Sequence, residues 1–270
     1  MKLTRQSIIF EITARLQRLL VPRLDHRVVY IHIPKYGGVS VSKALKACYA
    51  SLNLRDDNLY KLDSVACLNA AQSNVGRPLR VGHPSVSRLR ELLLLYGMSQ
   101  AQAQYISGHF QFSSVAYEQF KHEYAFVTIL RDPFKRWVSA YFYDRYKNYG
   151  NARTSLNISD YLDDKEAYRN AQIYARSLCG LVDVESYSVK ELSELAKDNL
   201  HKFELVGCIE HLDVFVDQFY ARYGRRLAIG RWNQNPKSKA YQKSVLSDAV
   251  MDRVRELCQL DIEIYNYAIE

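Results

Sequence analysis

The residues best placed for chemistry are Lys35, Gly37, Gly38 and Ser40 in IHIPKYGGVSV, His109 in YISGHFQF, and Arg131 with Ser139 in ILRDPFKRWVSAYF. Paired glycines let a backbone approach an anion without a Cβ in the way, and a serine at a helix start caps it or binds an oxygen. Helix N-terminal amides add the positive end of the dipole, and Lys35 adds a full charge at the mouth of the turn. The pattern differs from GxxxxGK[ST], where lysine follows the glycines beside a magnesium-holding hydroxyl. Here lysine precedes them, which predicts an anion site without a metal. The planar guanidinium of Arg131 suits a phosphate, to which it can offer two parallel charge-assisted hydrogen bonds.

Three elements must position these groups. Val28–Ile33 is an apolar, β-branched run that reads as a buried strand, followed by the Pro-Lys-Tyr-Gly-Gly turn and a helix over Ser40–Tyr49. Tyr124–Leu130 reads as a central strand, turned by Arg131-Asp132-Pro133 into a helix from Phe134. Ser139, eight residues after Arg131, faces the same cleft if that helix folds back against the loop. YISGHFQF reads as a strand end that delivers His109 to the edge of a cleft, against the alternative of a buried structural histidine. A further strand is expected at Glu204–Ile209, and helices near Leu62–Ala71 and over SVSRLRELLLLYGMS, ending at Gly97. Asn74–Pro78 reads as a turn, LRVGHPS as the end of a short strand, and His83 as a cap or packing residue with catalysis as the alternative. Strands alternating with helices predict an α/β class with a mainly parallel central sheet and anion sites at the strands' C-terminal ends.

Composition bounds the rest. A chain of 270 residues, 48% hydrophobic and 12% aromatic, can bury a real core and is not disordered. Residues 1–26 form an expected amphipathic helical extension, with Ile8, Ile12, Leu16 and Leu19 at helical spacing and Pro22 closing it; residues 27–270 form one domain. Charges inside that run exclude a signal core or a spanning helix, and leave a packed helix or a peripheral membrane contact through residues 1–22. A net charge of +8 favours anionic partners without choosing among them. The five cysteines show no CxxC and the seven histidines no HExxH, so a reducing, cytoplasmic location and no metal are expected.

IHIPKYGGVSV resembles the 5′-phosphosulfate loop, HIPKTGGTS, of sulfotransferases that use 3′-phosphoadenosine-5′-phosphosulfate (PAPS), especially the carbohydrate O-sulfotransferases of the heparan sulfate type. Tyr36 and Val39 stand where that family usually has threonine. LRDPFKRWVSAYF is similar to the family's 3′-phosphate motif LRDPxxRxxSxYY through Leu130, Arg131, Asp132, Pro133, Arg136, Ser139 and Tyr141. YISGHFQF is similar to the segment that carries the proposed base. NAQIYARSLCG and the stretch from Glu204 to Ala268 are weaker echoes. The resemblance implies a P-loop-like sulfotransferase fold and PAPS as donor. It implies catalysis by Lys35 and His109, and donor binding by Lys35, Tyr36, Gly37, Gly38, Val39, Ser40, Arg131 and Ser139. The implied acceptor is a hydroxylated partner, a carbohydrate and on charge grounds an anionic one, with no nucleic acid. Two alternatives remain at this level: a kinase or NTPase, which lacks the Walker lysine and a magnesium carboxylate, and a non-catalytic basic glycan-binding module. The second fits 21 tyrosines and 37 lysines plus arginines but leaves two ordered phosphate motifs unexplained.

Overall fold

A computed structural model describes residues 24–34, 38–49, 58–147, 153–230 and 238–270, without the side chains of Gly38, Val39 and Lys239. Residues 1–22, expected to be helical, and Lys35, Tyr36 and Gly37 of the donor loop lie outside the described residues. So do residues 231–237. Five strands, β1 (Arg27–Ile31), β2 (Leu59–Lys61), β3 (Tyr105–Gly108), β4 (Tyr124–Leu130) and β5 (Leu205–Cys208), make one sheet in the order β2-β3-β1-β4-β5. Every pairing is parallel.

The helices follow the chain between and after the strands. Described helices are α1 (Gly38–Tyr49), α2 (Ser64–Val75), α3 (Pro84–Met98), α4 (Ser114–Phe120), α5 (Pro133–Tyr146), α6 (Ile158–Leu162), α7 (Lys165–Ala171), α8 (Ile173–Leu178) and α9 (Val189–Leu200). After β5 come a 3-10 turn (Ile209–His211), α10 (Leu212–Tyr223), α11 (Lys239–Val245), α12 (Asp248–Leu257) and α13 (Gln259–Ile269).

The strands are apolar on both faces because both faces are covered. Val29, Ile31, Ile106 and Phe126 pack on one side with Val86 and Leu94 of α3 and Leu192 and Ala196 of α9. Their neighbours Val28, Tyr30, Tyr105 and Val127 pack on the other with Val41 and Leu45 of α1 and Phe215 and Phe219 of α10. A third cluster joins Trp137, Tyr141 and Phe142 of α5 to α6, α7 and α12. The periodicity therefore located β1, β4 and β5 within a residue or two.

Two local readings change. Leu59–Lys61 is a strand, although its polar surroundings signal none; it pairs along β3 at the sheet edge, where one side needs no partner. LRVGHPS does not end a strand. His83 N-H bonds to Arg80 O (3.1 Å), the His83 ring accepts the Ser85 N-H (3.2 Å), and Pro84 opens α3, so the segment is a helix start with His83 as its cap. Gly76, in the expected turn, closes α2 at φ 74°.

Candidate active site

Parallel pairing brings three strand ends side by side. Ile31 of β1 is opposite Gly108 of β3 on one side and Thr128 of β4 on the other, and Leu130 is opposite Cys208 of β5. Past these positions the chain runs into His32–Pro34, His109, Arg131 and Glu210, all at one edge of the sheet. The change of chain direction about β1 makes this edge a crevice, where open α/β sheets take ligands. The edge is fixed by more than the ladder: Thr128 Oγ1 donates to Ile31 O at 2.9 Å, and His32 N-H donates to Gly108 O at 2.9 Å.

That last bond sets His32 beside His109. Their ring centroids are 4.5 Å apart, and His109 Nδ1 lies 2.6 Å from the His32 carbonyl. A carbonyl only accepts, so Nδ1 carries the proton, and the lone pair of the neutral ring is on Nε2. Burial, then the charges of His109 and Lys61, push the His32 ring down to about 3, which keeps it neutral next to His109. Arg90, buried in α3, donates from Nη1 to His109 O at 3.1 Å. The histidine is thus gripped at its ring and its backbone by different elements.

Arg131 is the first residue past the β4–β5 pairing. Tyr174 of α8 holds its backbone: the hydroxyl accepts the Arg131 N-H at 2.9 Å and donates to the Arg131 carbonyl. Asp132 caps α5 by accepting the Lys135 N-H at 2.8 Å, and its own N-H goes to Glu210 Oε2 at 3.2 Å. Ser139 is half-buried on the α5 stripe that carries Asp132 and Lys135, back toward the turn. Ser40 is buried in the first turn of α1, a turn without acidic residues. Arg136, from the same motif, does other work. It is buried and bonds the Asn170 side chain from Nη1 at 2.7 Å, tying α5 to α7.

His32, Pro34 and His109 form part of a cleft of about 800 Å³ between the α2–α3 region and the segments flanking α6 to α8. Five arginines line it, among them Arg80, Arg169 and Arg176, and five carboxylates, among them Glu166 and Glu185. Glu185 lies within 3.4 Å of Arg80, 3.1 Å of Arg176 and 3.8 Å of Arg169. Among the described residues the wall is therefore charge-balanced.

A sequence model of the sulfotransferase family matches residues 20–268, from before β1 to the last turn of α13. The chain belongs to the sulfotransferase family. No curated protein matches it. Family membership assigns sulfuryl transfer to a hydroxyl-bearing acceptor as the general activity of this sulfotransferase. Among its described residues no group of histidine, cysteine and carboxylate side chains is arranged to hold a metal, and no helix is long and apolar enough to cross a membrane. All five cysteines are free thiols.

The structure brings His109, Arg131, Ser40 and the residues after β1 to the same sheet edge; His83, the other histidine considered, belongs to a helix cap. Sequence reading missed Arg90, Tyr174, Glu210 and Asp261. Arg90 left a signal, because it interrupts the i, i+4 stripe Val86, Leu94, Met98 that is otherwise apolar and buried. Asp261 of α13 left none. It accepts the Tyr174 N-H at 3.0 Å and the Ala175 N-H at 3.2 Å, capping α8, whose own Gln172 makes no side-chain cap. Burial pushes its carboxyl up to about 8, against the pull of Arg136 and of the Ala175 and Ile173 amides.

Proposed function

We propose that this sulfotransferase moves the sulfuryl group of PAPS to a hydroxyl of a carbohydrate, in the manner of the heparan-sulfate-type O-sulfotransferases. What supports this reading is the convergence of three strand ends, which brings His109, Arg131 and the first described residues after β1 to one crevice, with the Nε2 lone pair of His109 set by the bond its Nδ1 makes. The acceptor O-H gives its proton to His109 Nε2 while its oxygen bonds to sulfur. The bond from sulfur to the 5′-phosphate oxygen breaks, and its electron pair leaves with adenosine 3′,5′-bisphosphate. Lys35 and the loop Tyr36, Gly37, Gly38, Val39 and Ser40 stabilise the charge on that leaving phosphate. Arg131 and Ser139 hold the 3′-phosphate. No metal takes part in this scheme.

The cleft beside His109 is the acceptor's place. Among the described residues its arginines and carboxylates balance, which supports a hydroxyl-rich acceptor and gives no preference for a polyanion. Calorimetry tests the donor half: the wild type should bind adenosine 3′,5′-bisphosphate far better than AMP, ADP or magnesium-ATP. Arg131→Ala should weaken the bisphosphate by roughly 10- to 150-fold and leave AMP nearly unchanged. Tighter binding of magnesium-ATP would overturn the reading in favour of a kinase. Transfer of label from PAPS to hydroxylated sugars tests the acceptor half.

A further inference from the structure

Arg131 can select a 3′-phosphate only if its backbone leaves the sheet in a fixed direction. The last β4–β5 pair is Leu130 with Cys208, and side chains hold the peptide groups that follow it. The fully buried Tyr174 hydroxyl bonds both the N-H and the carbonyl of Arg131, and Glu210 Oε2 takes the N-H of Asp132 at 3.2 Å. Both clamps are themselves held. The Tyr174 backbone N-H is bound by both oxygens of buried Asp261, at 3.1 and 3.0 Å. Glu210 Oε2 also accepts from Cys208 Sγ (3.1 Å) and the Tyr265 hydroxyl (3.3 Å). Tyr265 and Asp261 both belong to α13, so one helix braces the two clamps from the far end of the sequence.

We infer that Tyr174 and Glu210 are positioning residues that aim Arg131, and through it set the preference for a nucleotide with a 3′-phosphate over one without. The inference rests on the proposed role of Arg131 and adds to it the groups that make the arginine selective. A hydroxyl that bridges both peptide groups of one residue holds that residue's φ and ψ, and a guanidinium several bonds away amplifies any backbone rotation. A phosphate offers its directional bonds only to a correctly turned fork.

The test is nucleotide binding by the full chain, with adenosine 3′,5′-bisphosphate and AMP as paired probes. Tyr174→Phe should weaken the bisphosphate by roughly 5- to 30-fold and leave AMP within twofold. In an Arg131→Ala background the same change should cost the bisphosphate nothing further, a result that a general packing defect would not give. Glu210→Ala, at a less buried site, should show the same selective loss, and it carries the test alone if Tyr174→Phe does not fold. Equal losses for both nucleotides, no loss, or full additivity with Arg131→Ala would overturn the inference. A wild type that does not prefer the bisphosphate to AMP would instead overturn the role of Arg131 itself.

Discussion

His109 and His83 show how the same side chain is assigned opposite work by its nearest atoms. The His109 ring gives its Nδ1 proton to the His32 carbonyl at 2.6 Å, which leaves Nε2 as the basic atom beside the cleft. The His83 ring accepts the Ser85 N-H at the start of α3, which is the work of a helix cap. His109→Ala is expected to lower kcat by about 10²- to 10⁴-fold with donor affinity unchanged. His83→Ala should keep kcat and lose about 0.5–2 kcal/mol of stability, the cost of an N-cap. Steady-state kinetics and urea unfolding of the two variants check this; an inactive His83→Ala beside an active His109→Ala would reverse the assignment. The sequence already favours His109 over His83 as the base, and the hydrogen-bond partners of the two rings support that reading.

β3 is the element that carries His109, and its last residue explains why the strand ends where it does. A Cβ on Gly108 would stand 2.5 Å from Leu62 Cβ and 2.9 Å from the Phe110 ring, so only glycine lets β3 lie this close to the segment between β2 and α2. Gly108→Ala must push the strand end away from Leu62, and His109 follows directly in the chain. The expected outcome is a loss of about 1–3 kcal/mol from overpacking. A fall in kcat larger than the stability loss explains should accompany it, with bisphosphate binding at the β4 end intact. Urea unfolding, single-turnover rates and calorimetry on one preparation separate the three quantities. Unchanged kcat in a folded Gly108→Ala would show that the position of β3 does not govern the base. The sequence marks Ser107-Gly108 as a break after an apolar pair. It does not show Leu62 as the reason, because that contact joins segments more than forty positions apart.

At the scale of the whole molecule, the neutral His32 links the site to global stability. Its folded pKa of about 3 lies below the ordinary 6.5, so as pH falls the unfolded chain takes up this proton first. The contribution is complete above about pH 6.5 and is lost progressively as pH falls toward 3. The urea midpoint of the wild type should drop between about pH 6.5 and pH 4, and His32→Gln should flatten that slope; parallel slopes would remove His32 as a cause. By itself, the sequence determined the α/β class, the strands β1, β4 and β5 and the turn after β4, and it named His109, Arg131 and Ser139 as candidates. Apolar periodicity, glycine, proline and helix caps act between near neighbours and are written locally. Only the tertiary structure decided that β1 lies between β3 and β4, that β2 exists at the edge, and that Asp261 caps α8 across the chain. It also decided that the Tyr174 and Glu210 side chains hold the backbone of the Arg131 turn. The physical reason is that a buried donor or acceptor must be satisfied by whichever group the folded sheet brings near it, and nothing in the local pattern around Arg131 names that group.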